Sequence, residues 1–406
     1  MTETIRSAPP AARVAVNSRL DSLTGMRFFA AVPVVLIHVG GQFARARWLS
    51  TVDGLGYLGV SFFFVISGFV LTWSCGRQPA RRFWWLRLAR VWPSQFLVAL
   101  FAMAVLAAQE RIPGLFGKAA DLLLLQAWWP NQQVYYGGNG VSWSLSDEMF
   151  FYLLFPLAVI PVRRMGRRGL LVTAVATLAV MAAAPLVATA IGVSATTYGW
   201  LFFVFPPYRF AEFLLGMLLA RAVVLGLRAP GWAGPGALIG LVAMVCGMTV
   251  YTMHSAAGIQ RPFATLLVLP FVAVLLLAGA TQDLRSRRWW LNSWPLLRLG
   301  EWSFALYLVH KPVFLLTSRW HWWDNSGGMS ALASFIAYLA LAIGVAAAVH
   351  YLVEKPIERR LRRLRPPSRK DTEYVDRDRG GADARVGRSL IPDTRWHRRS
   401  GDRSAA

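Results

Sequence analysis

The chain has very little cysteine and few acidic residues. Its 406 residues include only Cys75 and Cys246, both in apolar surroundings, and 20 Asp and Glu in total. Two isolated thiols provide neither a disulfide framework nor a cysteine and histidine zinc site, so we expect no metal centre. Only 16% of the residues are charged, whereas 56% are hydrophobic. A soluble domain carries about a quarter charged residues and a disordered chain far fewer apolar ones, so the composition excludes both classes for most of the chain.

Basic residues outnumber acidic ones by 43 to 20, which gives a formal net charge of +23. In a soluble protein this excess would suggest a nucleic-acid partner. Here the arginines lie between apolar runs and in the C-terminal region, where they orient a protein in the bilayer. We therefore expect the lipid bilayer as a partner and no nucleic acid.

Apolar residues come in blocks close to twenty residues long, the length that a helix needs to cross a bilayer. Short basic or Gly/Pro-rich breaks separate the blocks. The sequence thus predicts an all-α polytopic membrane protein with about ten transmembrane helices, multi-pass in the plasma membrane. The ten predicted spans are 25–43, 55–75, 90–108, 141–161, 169–189, 199–223, 231–251, 262–280, 298–318 and 330–352.

The distribution of arginine between the loops indicates the orientation of these spans. The loop between the fourth and fifth spans carries Arg163, Arg164, Arg167 and Arg168, whereas no Lys or Arg lies between the fifth and the sixth. Basic loops stay in the cytoplasm. Because this alternation holds for every loop, we predict that both termini are cytoplasmic.

The same pattern divides the chain into three parts. Residues 1–24 form a polar N-terminal tail on the cytoplasmic side, and residues 25–358 form the transmembrane domain. Residues 359–406 are rich in Arg, Asp and Gly and predict a basic, disordered cytoplasmic tail.

Few ionisable residues remain inside the predicted spans, and such residues are usually functional. At a rise of about 1.5 Å per residue, His38, Glu148 and His310 fall in one layer just outside the bilayer midplane. Arg209 and Glu212 lie near the same depth and, three residues apart, can pair with each other. This convergence predicts a polar cavity, although a buried ion pair that only joins helices is an open alternative for Arg209 and Glu212.

The stretch RRFWWLRLARVWP places Arg87 and Arg90 one helical turn apart at the cytoplasmic end of the third span. Two guanidinium groups on one helix face suit the oxygens of a phosphate, which accept parallel hydrogen bonds. The alternative is an ordinary cluster of topology-setting arginines.

Six blocks of the sequence, in this order and at these membrane positions, resemble the membrane-bound acyltransferase-3 family of O-acyltransferases. The resemblance covers roughly residues 20–358. The amino-acid sequence of the blocks is similar to that of the actinobacterial branch, which includes macrolide-antibiotic acylating enzymes. One departure is Ser61, where many members have an acidic residue. The blocks are LTGMRFFAAVPVVLIH, GVSFFFVISGFVLT, RRFWWLRLARVWP, WSLSDEMFFYLLFP, YRFAEFLLGMLLA and LGEWSFALYLVHKP.

The resemblance implies a bundle of ten helices and an acyl-CoA donor, commonly acetyl-CoA, with no tightly bound cofactor. It implies an essential histidine in the first helix, which matches His38, eleven residues after Arg27. The family's R-x-x-R pair matches Arg87 and Arg90. The glutamate of its W-S-L-x-x-E block and its late histidine match Glu148 and His310.

Ester formation needs a base for the attacking hydroxyl, and a positioned imidazole is the usual one. We expect His38 to take this proton, with a transient acyl-imidazole as the alternative, and Glu148 to hold the imidazole tautomer. Thirteen residues of helix separate His38 from the inner end of the first span, about 20 Å, which suits the arm of a coenzyme held by Arg87 and Arg90. Further candidates for the cavity lining are Arg27, Ser67, Trp143, Arg209, Glu212, Tyr307 and His310.

The sequence therefore predicts a membrane-embedded enzyme that moves a short acyl group from acyl-CoA to a hydroxyl of a glycan or of a macrolide-type natural product. The main alternative is a multi-spanning transporter or exporter, because ionisable residues at midplane depth also suit solute transport. Against it, no internal repeat is visible. A scaffold that recruits partners through its basic tail is a third hypothesis.

Overall fold

The computed structural model describes residues 20–43, 56–76, 78–110, 114–255, 260–285, 289–319, 323 and 328–363. Over these residues the chain is helical and contains no strand, so the all-α polytopic fold is confirmed. The predicted tails, 1–24 and 359–406, lie mostly outside the described residues.

The helices follow the predicted runs closely. Two 3-10 turns lie between the α-helices, at Gln126–Trp128 and at Trp290–Asn292. A π-helical turn, His350–Glu354, joins α13 to α14. In chain order the α-helices are α1 (Asp21–Phe43), α2 (Leu58–Ser74), α3 (Ala80–Ala107), α4 (Leu115–Leu122), α5 (Gln132–Tyr135), α6 (Trp143–Arg164), α7 (Arg167–Ala190), α8 (Ala195–Phe203), α9 (Pro206–Val224), α10 (Ala233–His254), α11 (Arg261–Leu284), α12 (Trp294–Ser318), α13 (Gly328–Val349) and α14 (Lys355–Arg363).

Each of the ten predicted spans corresponds to one of these helices or helix pairs. Among the described residues, eight segments are long and apolar enough to cross a membrane by length and composition. Helix α2, with 17 residues, is apolar but shorter, and α12 has 25 residues that include Arg298, Glu301 and Lys311. The count of ten and the cytoplasmic termini stay predictions.

The sixth predicted span, 199–223, is not one continuous helix. It is interrupted after α8, and Phe205 is extended with ψ of 119°. The cause is the Pro206 and Pro207 pair, because the residue before a proline is pushed out of the helical region. The prolines then occupy the first turn of α9, where their missing N–H groups cost nothing.

Two close helix contacts hold the centre of the bundle, and glycine permits both. A Cβ on Gly216 of α9 would lie 1.9 Å from the carbonyl oxygen of Val65 in α2, and one on Gly68 of α2 would lie 2.0 Å from that of Phe213. A Cβ on Gly300 of α12 would lie 1.9 Å from the carbonyl oxygen of Thr24 in α1. Small residues let helix backbones approach in a bilayer, where no hydrophobic effect drives helices together.

We expect Gly216→Val to destabilise the protein by about 1–3 kcal/mol, as overpacking does, because a backbone carbonyl cannot move aside as a flexible side chain can. Thermal unfolding in detergent, followed by fluorescence-detected size-exclusion chromatography, measures this loss. The matched control is Gly247→Val in α10, where a Cβ would meet nothing within 4 Å. Equal midpoints for the two variants would contradict the close contact between α2 and α9.

Candidate active site

A cavity of about 110 Å³ lies between α1, α2, α3, α6 and α12. Its apolar wall includes Phe63, Phe64 and Phe304. Six of the residues that the sequence placed in or near the site contribute to this one cavity, together with two other polar side chains. The polar lining consists of Arg27, Ser67, Arg87, Arg90, Ser144, Glu148, Tyr152 and Tyr307.

One face of α6 forms a side of the cavity. Ser144, Glu148 and Tyr152 follow at intervals of four residues, so they project from the same face over two helical turns, about 12 Å. Ser144 contacts the Tyr307 hydroxyl at 2.5 Å. The Tyr152 ring packs against Phe83, and the guanidinium of Arg87 lies over that same Phe83 ring. The cavity therefore runs from the arginines near Tyr152 to Tyr307 near Ser144.

Glu148 is held inside this cavity. Its carboxylate accepts a hydrogen bond of 3.0 Å from Ser67 of α2 and a very short one from Tyr152. It is also near enough to Arg27 for their charges to interact. Glu148 therefore balances part of the positive charge of the arginines.

The predicted pair Arg87 and Arg90 both face the cavity, together with Arg27 of α1. Arg90 also reaches away from it, because its two terminal nitrogens each lie 3.7 Å from a carboxylate, one of Glu354 and one of Glu358. Three guanidinium groups thus share the lining with one carboxylate, while Glu354 and Glu358 offset part of the charge of Arg90 from outside the lining. The N–H groups of these guanidiniums suit anion oxygens.

His38 and His310 form an edge-to-face pair with their ring centroids 5.1 Å apart. In each ring Nδ1 contacts the carbonyl oxygen four residues earlier, at 2.8 Å on Val34 and 3.1 Å on Leu306. A carbonyl oxygen only accepts, so Nδ1 carries a hydrogen in both rings, and in the neutral form of each ring Nε2 keeps its lone pair. His310 is fully buried, whereas His38 is partly exposed.

The structure therefore changes the contact that the sequence predicted for Glu148. The tautomer of His38 is set by the main chain of α1, while Glu148 bonds to Ser67 and Tyr152. The cavity reaches the histidine pair only as far as Tyr307, whose ring centroid is 6.1 Å from that of His310. The catalytic roles of His38 and Glu148 stay predictions.

Arg209 and Glu212 pair as predicted but lie outside the lining of this cavity. Nη1 of Arg209 is 2.7 Å from Oε1 of Glu212, and both side chains are almost completely buried. Arg209 also contacts the Ser61 hydroxyl at 3.3 Å and stacks on Phe64, a residue of the cavity wall. The arrangement favours the structural alternative for this pair.

Trp143, another predicted lining residue, is also placed elsewhere. It is buried against Phe203, with ring centroids 4.7 Å apart. Ser67, Arg27 and Tyr307, in contrast, line the cavity as the sequence predicted.

Three residues near the site were missed by the sequence analysis. Ser144 and Tyr152 lie four residues before and after Glu148, a helical spacing that could have identified them. Lys311 follows His310, and its ammonium is 2.6 Å from the point where a Cβ on Gly140 would lie. No periodic signal points to Lys311, because its neighbour Gly140 comes from a distant loop.

A buried polar network fixes the loop between α4 and α6 beside the site. Asp121 of α4 accepts hydrogen bonds from the Ser142 hydroxyl, from Gln126 at 3.1 Å and from the backbone N–H of Asn139 at 3.2 Å. The Asn139 amide donates in turn to the carbonyl oxygen of Leu308 in α12, at 3.0 Å. The network ties the loop before α6 to the helix that carries His310.

The apolar helices define a membrane-embedded protein. Its cavity, lined by arginines and a carboxylate and lying next to a histidine pair, contains the groups for acid and base chemistry. Residues 20–351 match the acyltransferase-3 family model, described as an acyltransferase domain. The chain belongs to this family and is an acyltransferase, as the sequence predicted.

Curated relatives agree with this assignment. The chain is 36% identical to the acyltransferase MdmB of Streptomyces mycarofaciens over 86% of this chain and 94% of that protein. It is 24% identical to the O-acetyltransferase OatA of Staphylococcus aureus over 84% of this chain and 57% of that protein. For the peptidoglycan O-acetyltransferase OatA of Listeria monocytogenes the identity is 23%, over 74% and 50%. The chain thus spans about half the length of the OatA proteins, and no solved structure matches it.

The Asp121 network predicts a pH dependence of stability. Burial raises the pKa of Asp121 from its ordinary 3.8 to about 6, and the hydrogen bonds from Ser142 and Asn139 only partly oppose this shift. The folded protein thus holds the Asp121 proton more tightly than the unfolded chain. The contribution of this group to stability is therefore lost as the pH rises from about 4 to about 6 and does not change further above that window.

We expect the thermal midpoint of the wild type to fall across this window, and the fall to be smaller in Asp121→Asn, whose side chain does not ionise. Size-exclusion chromatography of heated samples at several pH values gives both profiles. Because other groups titrate in the same range, the difference between the two proteins is the relevant quantity. Parallel profiles would contradict the assignment to Asp121.

Proposed function

We propose that this acyltransferase moves a short acyl group, normally acetyl, from acyl-CoA to a hydroxyl of a glycan or of a macrolide-type natural product at the plasma membrane. The observation that carries the proposal is the grouping of Arg27, Arg87 and Arg90 around one cavity that ends beside the histidine pair. A coenzyme A thioester combines the two features that such a cavity suits, several phosphates and an electrophilic carbonyl at the end of a long arm.

The arginines supply the phosphate contacts in this proposal. Arg87 and Arg90 lie one turn apart on α3, and guanidinium groups form parallel, charge-assisted hydrogen bonds with phosphate oxygens. Their wall contains a single carboxylate, Glu148. The charged N–H donors of the lining therefore favour an anionic donor over a neutral one.

The face of α6 supplies the path for the acyl-bearing arm. From Tyr152 to Ser144 it covers about 12 Å, and at its end Tyr307 separates the cavity from His310. The cavity of about 110 Å³ is smaller than a usual ligand pocket, which has about 300 Å³ or more. Donor binding thus includes displacement of wall side chains such as Tyr307 and Phe304.

His38 acts as the general base. Its Nε2 has the free lone pair, because Nδ1 donates to Val34, and the ring is more accessible than that of His310. Nε2 takes the proton of the acceptor hydroxyl while the hydroxyl oxygen attacks the thioester carbonyl. The carbon–sulfur bond then breaks, and the proton passes to the leaving thiolate. Glu148 keeps the charge of the arginines balanced throughout.

The relatives support a hydroxyl acceptor. Two of them are named O-acetyltransferases, one acting on peptidoglycan, which favours a glycan. The likeness of the sequence blocks to macrolide-acylating enzymes favours a natural product instead. An assay with both acceptor types decides between them.

We expect His38→Ala to lower acyl transfer by about 100-fold or more, the typical contribution of a general base. The assay uses reconstituted protein, radiolabelled acetyl-CoA and two acceptor sets, hydroxylated macrolides and cell-wall glycans. Label on an acceptor supports the enzyme, whereas movement of unmodified solute across the vesicle membrane would support the transporter alternative.

His254→Ala is the matched control for this variant. His254 also donates Nδ1 to the carbonyl oxygen four residues earlier, at 2.9 Å on Val250, but it lies exposed at the end of α10. Activity should be retained there. If the His38 variant kept substantial turnover at normal protein levels, the general-base role would be refuted.

Arg87→Ala and Arg90→Ala are each expected to raise the donor KM about tenfold or more. A hydrogen bond to a charged group contributes about 1.5–3 kcal/mol, and about 1.4 kcal/mol is tenfold in affinity. Steady-state rates at varied acetyl-CoA concentration measure the change.

Arg81→Ala serves as the control, because Arg81 lies on the same helix but is exposed and outside the cavity lining. Its donor KM should equal that of the wild type. If all three variants behaved alike, the arginines would be topology signals and the donor site would lie elsewhere.

A further inference from the structure

A second cluster of ionisable groups lies behind the donor cavity, at the junction of α13 and α14. The junction is the π-helical turn His350–Glu354. Turns of this kind are rare, and they occur frequently at functional sites. Both end residues are buried, and Nδ1 of His350 is 2.8 Å from Oε2 of Glu354.

The other carboxylate oxygen of Glu354 faces Arg90. Oε1 lies 3.7 Å from Nη2 of Arg90, while Glu358 approaches Nη1 at the same distance. The two carboxylates differ in their surroundings, because the Glu354 side chain is 1% exposed and that of Glu358 is 13% exposed. Helix α14 is also fastened to α3 by a hydrogen bond of 3.0 Å from the Trp85 indole to the Leu361 carbonyl oxygen.

From this arrangement we infer that Glu354, oriented by His350, is a positioning residue that fixes the guanidinium of Arg90 for the donor phosphates. The inference rests on the proposed function, in which Arg90 binds the donor. Glu354 acts through Arg90 and does not touch the substrate.

The alternative is that Glu354 imitates a phosphate and competes with the donor for Arg90. Competition requires a carboxylate that can leave. Glu354 is buried and bound by His350, so releasing Arg90 would leave an unpaired buried charge, which is costly. Arg90 has five N–H donors in a planar fork, enough to keep this neighbour and bind a phosphate with the others.

Glu358 is the natural comparison. It is equally far from Arg90 but lies on α14, partly exposed, where solvent and salt screen its charge. If only the buried residue on the π-helical turn positions Arg90, the two carboxylates differ in effect although their distances are the same.

The test is the steady-state dependence of transfer on acetyl-CoA concentration. We expect Glu354→Gln to raise the donor KM about fivefold to tenfold, which is up to about 1.4 kcal/mol, with kcat largely retained. Glu358→Gln should change KM by less. In a double-mutant cycle, Glu354→Gln should add nothing to the KM of Arg90→Ala, because the positioned group is already gone. Glu301→Gln, which removes a pair with Arg298 on α12, controls for loss of an ion pair elsewhere.

Several outcomes would overturn the inference. A lower KM in Glu354→Gln would show competition, and equal effects of the two Glu variants would show a general electrostatic effect. An additive double mutant would show that Glu354 does not act through Arg90. If Glu354→Gln is not recovered as a monodisperse protein, the test uses His350→Leu, which removes the orienting bond. This variant should also raise the donor KM, and an unchanged KM would count against the inference. If the wild type transferred no acetyl group, the proposed function itself would be refuted. If it transfers acetyl and Arg90→Ala raises the donor KM, the Glu354 variants test the inference alone.

Discussion

A charged side chain inside a bilayer is costly unless it has a partner, and this constraint orders the interior of the protein. Several ionisable residues of the spans are gathered into clusters in which opposite charges lie close together. Glu148 lies among the arginines of the cavity, and Arg209 lies against Glu212. The histidine pair satisfies one nitrogen of each ring from its own helix. The helices that carry these groups are held in register by the glycine contacts between α2 and α9 and between α1 and α12.

Two adjacent carboxylates show how finely these clusters are separated. Asp147 and Glu148 follow one another on α6, so their side chains point about 100° apart around the helix. Glu148 enters the arginine cavity, whereas Asp147 is fully buried on the side of Arg209 and Glu212. Helix α6 thus separates a cavity that presents three guanidinium groups from a buried cluster that contains two carboxylates and one guanidinium.

The sequence predicted what depends on depth and spacing along one helix. The lengths of the spans follow from the thickness of the bilayer. The pairing of Arg209 with Glu212 and the shared helix face of Arg87 and Arg90 each follow from an interval of three residues. What it missed depends on rotation about helix axes and on chain segments far apart in sequence. His38 and Glu148 were expected to meet because they lie at similar depth, but depth does not fix the direction in which a side chain points. The contact of Lys311 with the loop at Gly140, and that of Glu354 with Arg90, depend on tertiary packing alone.

In the proposed reaction, His38 does not need Glu148 as an orienting carboxylate. A triad carboxylate holds the imidazole in one tautomer, and in α1 the Val34 carbonyl already does so. The main chain of α1 therefore orients the His38 ring without a second buried charge. The Glu148 carboxylate lies among the arginines of the cavity instead and balances part of their charge. The same main-chain bond on His310 gives a second ring with an identical tautomer. Burial distinguishes the two rings, since His38 is partly exposed and His310 is fully buried. This difference is why the proposed reaction assigns the proton transfer to Nε2 of His38.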